Sequence, residues 1–64
     1  MSDEKRFRIQ RTDGHWYAGP GANRSPTWTT DEAVAYRFER RDVALGVVRW
    51  LTHLGFATEV VEMR

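Results

Sequence analysis

His15 and His53, the adjacent carboxylates Asp31 and Glu32, and the hydroxyls of Ser2 and Ser25 are the side chains whose types could do chemistry. A zinc-type site needs three or four ligands, yet the chain has no Cys, and two His without HxxxH spacing cannot supply them. No metal centre and no cofactor is therefore expected. His15 stands beside a turn, and His53 lies on the polar side of a helix one turn after Arg49. Asp31 and Glu32 sit where a helix N-terminus favours negative charge, and Thr29-Thr30-Asp31-Glu32 matches a capping box with Thr29 as N-cap, so neither carboxylate calls for acid-base chemistry. Ser2 falls in a tail and Ser25 in a loop, without the strand-to-helix elbow that exposes a nucleophile. With no catalytic residue identified, the expectation is a protein that is not an enzyme.

Binding residues are easier to find. Gly19-Pro20-Gly21 with Arg24 has the composition of a phosphate cradle but neither Walker A nor GxGxxG spacing, and an ordinary hairpin loop explains it. Arg6, Arg8 and Arg11, with Trp16, Tyr17 and Trp28 close in sequence, point to a basic sheet face with stacking aromatics, the pattern of a small nucleic-acid binder. Charge balance speaks against it, because ten basic residues meet nine acidic ones. Lys5 is the single lysine, so the cations are otherwise all Arg, a composition that a GC-rich genome also produces. Three Trp are many for so small a core, and Trp is the residue most enriched at interface hot spots. Gly46 costs its helix roughly 1 kcal/mol relative to Ala, which implies close packing there against another element of the domain or against a partner. Trp16, Tyr17, Trp28, Gly46 and Trp50 are thus the expected contact residues for a protein partner or a homodimer.

The elements that must position these residues follow from periodicity. Lys5 to Arg11 alternates, with Phe7 and Ile9 on one side and Arg6, Arg8 and Gln10 on the other, which predicts a half-buried strand. Asp13-Gly14 is a tight-turn dipeptide, and His15 to Ala18 returns as the second strand of a hairpin. Residues 19 to 26 hold two Gly, two Pro and an Asn, too many breakers for regular structure. Pro26 to Thr29 is a brief extended segment, Asp31 to Ala35 a short helical turn, and Tyr36 to Glu39 a further short strand. From Val43, residues placed about 100° apart put Trp50, Val43, Leu54, Val47, Leu51, Ala44 and Val48 in an arc of roughly 160°, an amphipathic helix that Gly55 ends. Phe56 to Met63 reads as the last strand. The fold class is α+β: a small antiparallel sheet, made of the N-terminal hairpin and the C-terminal strand, packed on one amphipathic helix.

At 64 residues the chain is a single small domain, residues 1 to 4 and Arg64 reading as frayed ends. Only about 60% of the unfolded surface can be buried at this size, and without disulfide or metal an oligomer or a partner is the remaining aid to a small core. The charged start Met1 to Arg6 is followed by no apolar run and does not read as a signal peptide. Leu45 to Phe56 is broken by Arg49 and His53 and falls short of the roughly 20 residues of a membrane span. A cytoplasmic protein without membrane contact is expected.

At Trp28-Thr29-Thr30-Asp31-Glu32-Ala33, with Phe38 and Ala44 following, the chain resembles small uncharacterised phage and prophage proteins. These pair a hairpin with a W-T-x-D segment and one helix before a last strand, in an order matching residues 7 to 63. Such proteins commonly bind host proteins, and some are anti-CRISPR or other anti-defence inhibitors. The resemblance implies a phage- or mobile-element-encoded protein that binds or inhibits a host protein.

Overall fold

A computed structural model describes residues 6–63. The expected frayed ends, Ser2, and Lys5 at the start of the first strand lie outside the described residues. The alternating segment forms β1 (Phe7–Arg11), which turns through Thr12, Asp13 and Gly14 into β2 (Trp16–Pro20). Gly14 donates its N–H to the Arg11 carbonyl at 3.0 Å, Arg11 donates to His15 at 2.7 Å, and of the turn residues only Gly14 takes a positive φ, +97°. The hairpin thus has a three-residue loop with its left-handed step on the glycine, rather than a two-residue turn with positive φ at both Asp13 and Gly14.

The breaker-rich segment includes a 3-10 turn at Ala22–Arg24 and leads into β3 (Pro26–Thr29). Beyond it, the expected helical turn is a 3-10 turn at Glu32–Val34, with a different cap from the one the sequence suggests. Thr29 Oγ1 accepts the Asp31 N–H at 3.0 Å, and the Asp31 carboxylate accepts the Ala33 N–H at 2.9 Å. Asp31 is the cap because the turn is three residues long, which leaves Glu32 inside its first position instead of three residues beyond a Thr29 cap.

The expected strand at Tyr36 to Glu39 is reduced to a single bridge. Phe38 exchanges both backbone hydrogen bonds with Phe7, at 3.0 and 2.8 Å, and Tyr36 donates to the Tyr17 carbonyl at 2.8 Å. Two chemically different constraints hold this segment against β2. Gly19 has φ +107°, and a Cβ built there would meet the Tyr36 ring at 2.9 Å, so no larger residue fits without displacing the ring.

The helix α1 spans Arg41–His53 and stops as the glycine signal predicts. Gly55 donates to Thr52 and Phe56 to Leu51, each at 2.9 Å, the paired bonds of a Schellman motif. The chain then enters β4 (Thr58–Glu62), which pairs with β1 along its whole length from Phe7↔Glu62 to Arg11↔Thr58. All pairings are antiparallel, in the order β3-β2-β1-β4. The α+β class is as expected, with β3 added as a full edge strand.

Residues opposite one another on paired strands share a sheet face. Ile9 faces Val60 across the β1–β4 ladder and Tyr17 faces Trp28 across β2–β3, and these four lie on the side that α1 covers. Ile9, Tyr17, Phe38, Ala44 and Leu51 form the buried cluster, with Phe7, Trp28, Val47, Val48, Trp50, Phe56 and Val60 packed around it. From α1 itself only Ala44 and Leu51 are buried.

Candidate protein-contact surface

The aromatic residues singled out in the sequence go to three different places. Trp16 pairs with Gln10 and Thr29, and Gln10 with Glu59, so these residues form one row across the sheet face away from α1. Trp16 is partly buried there. Tyr17 is a core residue, 4% exposed, with rings of Trp28, Tyr36 and Phe38 at 6.0, 5.9 and 6.2 Å, and therefore offers no surface to a partner. Burial pushes its phenol pKa up, and the neighbouring Tyr36 adds to the shift. Trp28 covers the edge of that core, 5.0 Å from the Phe56 ring, and Trp50 packs on it from the side of α1.

The three arginines do not make one face. Phe7, Ile9 and Arg11 share the helix side by strand alternation, which sends Arg8 to the other. Arg11 lies over the Trp28 ring with its guanidinium carbon 4.7 Å from the ring centroid, and it is paired with Asp13. Arg6 is paired with Glu62 at 3.3 Å. Two of the three charges are thus answered by carboxylates of this chain.

His15 and Asp31, two of the side chains with catalytic or ligating chemistry, hold local turns. His15 Nδ1 lies 3.1 Å from Asp13 Oδ1, and the His15 N–H donates to the same oxygen at 3.2 Å. The Arg11 side chain, followed by that backbone N–H, holds the Asp13 carboxyl well below the usual carboxylate range. Asp31 is the cap already described, and His53 ends α1 in solvent. In the glycine loop, Gly21 donates to the Ser25 carbonyl at 2.6 Å and Thr27 Oγ1 donates to the Gly19 carbonyl at 2.6 Å, bonds that close the loop on itself. Among the described residues no group of three His, Cys, Asp or Glu could hold a metal ion. Nor is any described helix long and apolar enough to cross a membrane.

Exposed apolar side chains stand at Val34, Tyr36 and Leu45, and two more, Val43 and Leu54, lie along one edge of α1. The apolar arc of roughly 160° is wider than the strip of about 100° that a core-facing helix needs. The core takes Ala44 and Leu51, which leaves Val43 at 49% and Leu54 at 47% exposure. Val47 and Trp50 lie between them, partly buried. At 1.5 Å per residue the stripe from Val43 to Leu54 is about 16 Å long. Gly46 borders it, and a Cβ added there would meet nothing within 4 Å. Packing within the domain, the first expectation for this glycine, is therefore corrected: among the described residues no other element approaches it. Helical periodicity places Val43 and Leu54 in the apolar arc without separating them from the buried residues, and the excess width of the arc is the signal that something stays uncovered. At its N-terminal end the stripe meets a cleft lined by Tyr36, Arg37, Phe38, Glu39, Arg40 and Val43.

Comparison of the chain with protein-family models, with curated proteins and with solved structures finds no match.

Proposed function

We propose that this chain is a non-enzymatic protein-binding module whose contact surface is the edge of α1 formed by Val43, Gly46, Val47, Trp50 and Leu54. The observation that carries this is the open space at Gly46 beside two half-exposed aliphatic side chains. A glycine inside a solvent-facing helix costs roughly 1 kcal/mol relative to Ala. Half-exposed Val and Leu forgo about 1 kcal/mol each that full burial would supply. A protein surface that covers the edge supplies the missing burial and so offsets the glycine's cost, and a partly buried Trp at its centre is the residue type that anchors such contacts. Nothing comparable favours nucleic acid, since Arg11 lies on the helix side of the sheet, stacked on Trp28 and paired with Asp13, apart from Arg8.

The test is an affinity pull-down from the cells that make the protein, with and without nuclease, comparing wild type with Leu54→Glu. Leu54 is exposed, so the substitution leaves the core intact, which circular dichroism checks. Protein binding requires a discrete protein retained after nuclease and lost with the variant. A column emptied by nuclease, or one indifferent to Leu54→Glu, rejects it.

A further inference from the structure

We infer that the occupant of this edge is a second copy of the same chain, packed with its α1 antiparallel to the first. This rests on the protein-binding reading of the same surface and adds the identity and orientation of the partner.

Charge order along the helix carries it. Counting about 100° per residue, Asp42, Arg49 and His53 fall on one flank of the stripe, next to Gly46. The negative group is at the N-terminal end and the cationic and imidazole groups are at the C-terminal end. In an antiparallel pair related by a twofold axis, the same flank of each helix meets on the same side, in reversed order. Asp42 of each copy then faces Arg49 and His53 of the other. A parallel twofold pair would set this flank against the opposite side of the other stripe, where Ala44 and Leu51 lie, so Asp42 would meet neither Arg49 nor His53. The flank is thus self-complementary in one direction only. Asp42 is free to take part, because its present partner Arg40, at 2.9 Å, forms an ion pair exposed on both sides, which is weakly held. Arg49 and His53 make no ion pair among the described residues.

Position supports the same arrangement. Gly46 is one residue from Val47, the midpoint of the thirteen-residue helix Arg41–His53. A twofold axis between Gly46 and Val47 pairs Val43 with Trp50 of the other copy and brings the two Gly46 positions next to each other across the axis. Contact there lets two backbones approach closely. Antiparallel helices also bring opposite ends of their dipoles together, next to an N-terminus whose N-cap Arg40 provides no side-chain hydrogen bond. With six buried hydrophobic residues among those described, the fold gains from an added apolar interface.

Analytical ultracentrifugation of the full chain over a range of concentrations tests this. Wild type is expected to show a monomer–dimer equilibrium. Gly46→Gln fits the monomer, since nothing lies within 4 Å, yet places a side chain across the contact; dimerisation should weaken about thirtyfold, the effect of losing one hot spot. Asp42→Arg should weaken it about tenfold, and adding Arg49→Asp should restore it, as only antiparallel pairing of identical helices allows. Circular dichroism establishes that each variant is folded. A monomer at every concentration overturns the second copy as occupant, while a different protein lost with Leu54→Glu in the pull-down would leave the contact surface standing. A dimer indifferent to Gly46→Gln and to Leu54→Glu overturns this pairing and, with an indifferent pull-down, the surface as well. A dimer that the charge exchange fails to restore overturns the antiparallel register.

Discussion

Arg11 stands over Trp28 with 4.7 Å between guanidinium carbon and ring centroid, while its Nε donates to Asp13 Oδ1 at 3.1 Å and its Nη2 to Oδ2. One side chain at the end of β1 thereby joins the hairpin turn to β3, two strands away. Arg suits the position because a planar fork can grip a carboxylate while its face lies on an aromatic ring. Arg11→Lys keeps the charge and loses both geometries. Its urea midpoint is expected to fall below that of wild type, with Trp fluorescence shifted to the red as Trp28 gains water. An unchanged midpoint and spectrum would show that the stacked fork contributes nothing.

The same cluster sets an acid dependence. Hydrogen bonds from the Arg11 side chain and then the His15 backbone depress the Asp13 pKa in the folded chain, below an unfolded value of about 3.9. A depressed carboxylate pKa adds stability that is present above the unfolded value and is lost as pH falls through the folded one. Wild type should therefore lose stability below about pH 4 more steeply than Asp13→Asn. Urea midpoints of both chains at neutral and acidic pH measure it, and parallel curves would exclude Asp13 as the source.

Two glycines should respond in opposite directions to alanine. Gly46→Ala adds a methyl group in open space and improves helix propensity, so the monomer in dilute solution should gain up to about 1 kcal/mol, several degrees in Tm for a domain of this size. Gly19→Ala adds one 2.9 Å from the Tyr36 ring at φ +107° and should cost more than about 1 kcal/mol. Thermal melts of the pair compare an uncovered glycine with one that another element approaches.

Leucines on α1 divide in the same way. Leu51 is fully buried, so Leu51→Ala should cost about 2–5 kcal/mol, whereas Leu54→Ala at the exposed edge should cost less than about 1 kcal/mol in the monomer. Equal losses would mean that the helix presents a different face to the sheet.

Local chemistry made much of the fold legible. Alternation from Phe7 to Arg11 followed by Asp13-Gly14 identified the hairpin, and the 3.6-residue spacing from Val43 with Gly55 behind it identified α1 and its stop. Pairing register was not legible, and it decides the site. Strand alternation puts Arg11 on the Ile9 side, apart from Arg8, which grouping the three arginines on one sheet face overlooks, and nothing local said that Trp28 would come across two strands to meet it. Likewise, the apolar arc of α1 contained the uncovered edge without marking it. How much of an arc is buried depends on the width of the sheet beneath, and here Ala44 and Leu51 satisfy it. The Thr29 cap failed for a simpler reason, since a capping box presumes a helix longer than the three-residue turn that forms.

The central claim is that a protein covers the α1 edge. Photo-crosslinking in living cells tests it directly, with benzoylphenylalanine placed at Leu54 on that edge and, for comparison, at Glu59 on the opposite sheet face. A protein adduct from position 54 that position 59 does not give is the predicted result. Adducts to nucleic acid, or protein adducts from position 59 alone, would contradict it.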